Sequence, residues 1–168
     1  MRNFLSCIIF VLTLFVLLSC DNSNYKSVIP VDATFVASID FDEIADKGDV
    51  TNSSIFSLIK RDVESMIPSE SKGDILPYFE SPEKLGLDFS DKVYVFMTPN
   101  RCLGITIKVH DSNAVEHFLS LFGDLGLAGN IVERDGLMWS TLIEDFDVVY
   151  NDDTFLIFPS CKEIPALF

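Results

Sequence analysis

Hydrophobic positions change period several times along this chain, and each change marks an expected element. A largely apolar run fills residues 4–18, and a polar stretch rich in Asn and Ser follows at residues 21–27. After Pro30, the residues Phe35, Ala37, Ile39 and Phe41 alternate with Val36, Ser38 and Asp40, the period-2 pattern of a strand with one face in a core. Residues 42–47 fit a single helical turn, stopped by Gly48. Ile55, Ile59, Val63 and Met66 then recur at helical spacing, widened by Phe56 and Leu58. This predicts a helix capped by Ser53 or Ser54 and ended by Pro68. Residues 69–91 read as a loop rich in Ser, Pro, Gly and acids, packed down by apolar patches at 75–79 and 85–89.

The second half is more regular. Residues 92–97 predict a strand, residues 98–101 a turn, and Leu103, Ile105, Ile107 and Val109 a half-exposed antiparallel strand alternating with Gly104, Thr106 and Lys108. Asp111 or Ser112 caps a second helix with a stripe of Val115, Phe118, Leu119, Phe122 and Leu125, closed by Gly123 and Gly126. Asp135-Gly136 centres a hairpin over residues 131–142, since that dipeptide favours the tight turn of a two-residue loop. A further hairpin joins residues 146–150 to 154–158 through Asn151-Asp152-Asp153. The order β-α-β-β-α-β with extra strands predicts an α+β fold: a split β-α-β (ferredoxin-like) antiparallel sheet with two helices plus additional β-hairpins.

The opening run changes meaning at its end. Arg2 precedes it, and Leu17-Leu18-Ser19-Cys20 closes it, a positive n-region, a short h-region and a small residue before a cysteine. Leu-Leu-Ser-Cys resembles the lipobox of bacterial lipoproteins, which implies cleavage before Cys20 and a covalent lipid on that residue. An uncleaved membrane span is the competing reading, but about 20 apolar residues are needed to cross the hydrocarbon core. The expected organisation is a signal peptide at 1–19, a lipid-attached tether at 20–27 and a single domain at 28–168. No cofactor is expected beyond that lipid, and the expected partner is the bilayer it enters.

Composition narrows the partners. The chain has 168 residues, 12 basic against 26 acidic, and a formal net charge of −14. Removing the signal peptide takes away Arg2 and no acid. That balance argues against nucleic acid, whose binding needs clustered Lys and Arg. Fifteen phenylalanines argue against a disordered chain. Once Cys7 leaves and Cys20 carries lipid, Cys102 and Cys161 remain as a candidate disulfide in a compartment that permits one; two buried thiols are the alternative.

Three stretches together resemble a known family. Val28-Ile29-Pro30-Val31-Asp32-Ala33 runs into Phe35-Val36-Ala37-Ser38-Ile39-Asp40, Gly86-Leu87-Asp88 precedes a strand, and Glu133-Arg134-Asp135-Gly136 is followed by Val148-Val149-Tyr150-Asn151-Asp152. This is similar to the N-terminal part of a family of Bacteroides-type lipoproteins known as a domain of unknown function (the DUF4836 type). Members of that family are typically longer, so the resemblance implies a truncated chain. It carries no catalytic or binding residue across.

Candidate chemistry is sparse. Asp40, Asp42 and Glu43 lack the oxygen-rich spacing of a calcium loop and read as a strand end with helix N-terminal acids. Asn151, Asp152 and Asp153 read as a turn. His110 and His117 lack a nucleophile partner, and no metal set has the right spacing. Trp139 shares a strand face with Leu137 and Thr141, where it serves either as core packing or as a contact for a sugar or protein. These readings converge on a non-catalytic binding or structural module of the cell envelope. The expected location is the outer membrane, its periplasmic face favoured because a single acid follows Cys20 before Asn24. A surface lipoprotein capturing glycans or peptides, and the N-terminal part of a hydrolase, are the alternatives.

Overall fold

A computed structural model of the chain describes residues 24–41, 43–44, 72–142 and 145–160. The helix expected over 53–68 lies outside these residues, as do the signal segment, Cys20 and Cys161. Strands β1 (Phe35–Ile39), β2 (Leu87–Asp88), β3 (Val93–Met97), β4 (Leu103–Val109), β5 (Val132–Arg134), β6 (Leu137–Leu142), β7 (Phe146–Tyr150) and β8 (Thr154–Pro159) form one sheet. Helices α1 (Lys72–Glu80) and α2 (Ser112–Asp124) accompany it.

The sheet order is β1-β3-β4-β8-β7-β6-β5, with β2 beside β4, and the strand pairings are antiparallel. The class is therefore α+β on an antiparallel sheet. This order does not confirm a ferredoxin-like split, because β1 lies at the sheet edge. The hairpins fall where the turn chemistry puts them: Asp135 (φ 53°) and Gly136 (φ 79°) both take the positive φ that a type I′ turn requires.

Register decides which residues share a face. Opposite pairs such as Val95–Ile105, Ile105–Ile157 and Val148–Ile157 place those side chains on one side of the sheet. On that side α2 buries Val115 and Leu119 against Val109, Val148, Tyr150 and Phe155. The Asp111 carboxylate caps α2 by accepting the N–H groups of Asn113 and Ala114 at 3.1 and 3.2 Å. The Phe118 ring meets Phe122 at a 45° tilt and also meets Tyr78 of α1, tying the two helices together.

The other side of the sheet carries Phe96, Val149, Leu156 and Phe158, roofed by Val28 and Cys102. Here β4 departs from the half-exposed strand expected of it. Gly104 and Thr106 are both buried, because the ring of Phe96 lies on Gly104 and the segment around Tyr25 lies on Thr106. A Cβ at Gly104 would sit 2.8 Å from two Phe96 ring carbons, so any side chain there would displace the ring.

Two further differences have tertiary causes. Helix α1 occupies part of the expected loop. Gly73 and Pro77 read as breakers, and Pro77 removes one helical hydrogen bond, yet Ile75 is fully buried and holds the turn down. Strand β1 was expected to bury one face; instead Phe35 is 51 % and Val36 49 % exposed, on opposite faces. An edge strand has a neighbour on one side only, so its side chains lose half the cover that a central strand receives.

The close approach at Gly104 gives a direct test. Gly104→Ala is expected to destabilise the fold by about 1–3 kcal/mol through overpacking. Phe96→Leu in the same chain should recover part of that loss. Urea denaturation of the two single variants and the double variant checks it; additive losses would show that the ring and the glycine are not coupled.

Candidate functional site

The N-terminal segment is held to the sheet by polar bonds as well as packing. Residues Asn24–Lys26 form a short 3-10 turn, and Tyr25 is fully buried beside Tyr94, with ring centroids 5.9 Å apart. The Tyr25 hydroxyl donates to the Lys92 carbonyl at 3.0 Å, and the buried Thr106 hydroxyl donates to the Tyr25 carbonyl at 3.0 Å. The chain is thus fixed from Tyr25, within the stretch expected to be tether. A lone tyrosine in a polar stretch was the available signal.

From there the chain passes through an exposed apolar rim. Val31, Phe35, Val36, Phe41 and Ile44 are all exposed, although Phe41 makes an edge contact with Phe89 at 5.7 Å. At the end of β1 the Asp40 carboxylate accepts the N–H of Glu43 at 3.0 Å, and the Asp40 carbonyl accepts that of Ile44. Asp40 therefore opens a helical turn, in keeping with the reading of Asp40 and Glu43 as helix-start acids. Asp42 lies outside the described residues.

Trp139 is half-buried and packs on the core, its ring edge-on to Phe158 at 6.4 Å. The Arg134 guanidinium lies 5.7 Å from the indole centroid, a cation–π distance. The indole N–H is buried and has no hydrogen-bond partner among the described residues. Leu137 packs against the same cluster, so the shared face expected for the two residues is a core face at this point. Val132, opposite Trp139 on β5, is exposed.

Cys102 is disulfide-bonded, and its partner cysteine lies outside the described residues. It is buried beside Val28 and Phe96. The turn before β4 is pinned there, with the Thr98 hydroxyl accepting the Cys102 N–H at 3.1 Å. Strand β4 begins one residue after Cys102, and β8, its antiparallel neighbour, ends two residues before Cys161.

The titratable groups are dispersed. Lys108 bridges Asp91 at 2.6 Å and Asp88 at 3.3 Å. The Ser90 hydroxyl bonded to Asp88, with Lys108 beside it, holds the Asp88 carboxyl below its usual value; the bond to Asp91 raises Lys108. His110, between β4 and α2, and His117, on α2, are both exposed. The Asn151 side chain accepts the N–H groups of Asp153 and Thr154 at 2.9 and 2.8 Å, an Asx turn, and Asp152 takes the Ser112 hydroxyl at 2.6 Å. Those residues thus serve the β7–β8 turn and its contact with α2. Among the described residues no three His, Cys, Asp or Glu side chains gather as a metal site. A polar cleft of about 490 Å³ lies between α2 and the approach to β5, lined by Glu116, Ser120, Asp124, Asn130 and Ile131.

Tyr150 lies beneath α2 with its hydroxyl buried and without a hydrogen-bond partner among the described residues. Burial, with the Glu116 charge as a lesser cause, pushes its ionisation up to about 12.

A family model described as a domain of unknown function (DUF4836) matches residues 25–166. The match begins at Tyr25, the residue where the chain locks onto the sheet. No curated protein and no solved structure matches the chain. Among the described residues no helix is long and apolar enough to cross a membrane.

Cys102→Ser is expected to remove about 2–4 kcal/mol of stability, the usual worth of a disulfide. Reductant should lower the melting temperature of the parent protein and leave the variant unmoved. Peptide mapping under non-reducing conditions is expected to join Cys102 to Cys161; a peptide joined to any other cysteine would refute that pairing.

Tyr150→Phe should be neutral or stabilise by up to about 1 kcal/mol, since it removes a buried hydroxyl with no partner among the described residues while keeping the ring. The variant should also lose one phenol from the most alkaline part of the ultraviolet titration. A marked drop in thermal stability would mean that the hydroxyl has a partner.

Proposed function

We propose, for a chain that belongs to the DUF4836 family, that it acts as a non-catalytic binding module of the cell envelope, held on a membrane through lipid on Cys20. The observation that carries the binding role is the apolar rim at β1. Large hydrophobic side chains exposed together on a protein surface mark interaction sites, whereas scattered ones need no explanation. Val31, Phe35, Val36, Phe41 and Ile44 fall within fourteen consecutive residues and include both faces of one edge strand.

The anchor supports the same reading on separate grounds. Asp21 to Asn24 are the only residues between Cys20 and Tyr25. Five Cα steps reach at most about 17–18 Å, so lipid on Cys20 would hold the domain against the bilayer surface. Strand β1 begins ten residues after Tyr25. An outer-membrane location with the domain on the periplasmic face belongs to this proposal, since one acid is a weak export signal.

Trp139 favours a second reading, capture of a glycan or peptide. A guanidinium over an indole beside the exposed Val132 makes a mixed cationic and aromatic surface suited to a carboxylate-bearing ligand. The packing of Trp139 on Phe158 weighs toward a structural role, so this reading stands second.

Metabolic labelling with palmitate tests the anchor. Label is expected on the parent protein and absent from Cys20→Ala; an unlabelled parent protein would overturn lipid attachment. Protease added to intact cells should spare the protein if it faces the periplasm and degrade it if it faces outward.

A further inference from the structure

We propose that β1 pairs edge to edge with β1 of a second copy of this chain, antiparallel and about a twofold axis through Ala37. The inference rests on the reading of the β1 rim as an interaction site, and it names the partner. Edge strands present a row of unpaired N–H and C=O groups, and proteins blunt them with charge, Pro, bulges or short length. Phe35-Val36-Ala37-Ser38-Ile39 has no charge, Pro or Gly, and its only strand partner among the described residues is β3. The opposite edge is different. β5 is three residues long, Val132-Glu133-Arg134, and two of them are charged.

The choice of a second copy follows from charge and symmetry. In a chain of net charge −14, an uncharged strand is matched by another uncharged strand, and among the described residues β1 is the uncharged sheet edge. Antiparallel pairing about Ala37 sets Val36 opposite Ser38 and Phe35 opposite Ile39, the latter the aromatic–β-branched type of pair that stabilises sheets. Asp40 then faces Thr34, so no acid is set against an acid at the strand ends. Phe35, Ala37 and Ile39 lie on the side of Met97, Val95 and Val93, and the pairing would continue that apolar band across the axis. A β1–β5 contact would instead be head-to-tail, with no closure guaranteed, and would place Glu133 and Arg134 against an apolar strand.

Like net charges repel, and salt screens them over about 8 Å at physiological strength. The dimer therefore strengthens as salt rises. A basic partner on the same edge would weaken with salt.

The test uses the full-length chain in mild detergent. Sedimentation should show a monomer–dimer equilibrium that shifts toward dimer between low and high salt. Val36→Lys, a charge of the kind that protects natural edges, should weaken it roughly tenfold or more, since each dimer loses the pair twice. Its melting curve shows whether the variant still folds. Ala37→Cys, oxidised with copper phenanthroline in air, should crosslink to a dimer. Directly opposed residues lie within disulfide range, whereas Val36→Cys, displaced from the axis, should crosslink far less. A monomer at every salt concentration, or equal crosslinking at both positions, overturns the second copy. A probe peptide of alternating Val and Thr with Lys at both ends separates the two readings. If the chain stays monomeric and the peptide binds the parent but not Val36→Lys, the rim remains an interaction site with a different occupant. If the chain stays monomeric and no peptide binds, both fail.

Discussion

The missing side chain at Gly104 is the constraint on which one half of this structure depends. Because β4 offers no Cβ there, the Phe96 ring lies flat across the strand. Phe96 then joins Val28, Val149, Leu156 and Phe158 in a second core on the side of the sheet away from α2. Two residues on, Thr106 presents the hydroxyl that takes hold of the Tyr25 carbonyl. The sheet is therefore covered on both sides at its centre, by a helix on one and by the N-terminal segment on the other. Among the described residues its ends are covered less well, and the proposed interaction surface lies at one of those ends.

The parts of the fold legible in the sequence are those set by local chemistry. Asp111 caps α2, the Val115 and Leu119 stripe buries, and Asp135-Gly136 turns the β5–β6 hairpin, because each depends on neighbours a few residues away. The parts that were not legible depend on distant contacts. Alternation in β4 marks two faces but does not say what lies on the polar one, and Gly104 and Thr106 look exposed until Phe96 and Tyr25 are placed above them. Helix α1 fails every local criterion, with Gly73 and Pro77 inside it, and forms because tertiary burial of Ile75 outweighs weak propensity.

The candidate site repeats that division. Asn151 as a turn former and Asp40 as a helix-start acid were readable, since both act on backbone within three residues. Trp139 was ambiguous for a physical reason: alternation fixed its companions but not whether Phe158 or a ligand would meet its ring. The β1 rim was misread. Phe35 and Val36 are consecutive large apolar residues, which in an inner strand mean two buried faces and in an edge strand mean two exposed ones. Strand order alone decides between these, and strand order is a non-local property.

A strongly acidic surface and an uncharged edge act together. Net charge of one sign keeps copies apart over most orientations, since any approach that brings two acidic faces together is repelled. Approach along β1 is the orientation in which backbone hydrogen bonds and apolar burial are gained with no like charges paired from Thr34 to Asp40. Specificity then comes less from attraction at the edge than from its absence elsewhere. Under the proposed lipid anchor this selection sharpens further. A tether of four residues keeps the domain near the bilayer and limits the angles at which two edges meet. It also concentrates the copies in a thin layer, so a five-residue contact, weak in free solution, is formed at a higher effective concentration.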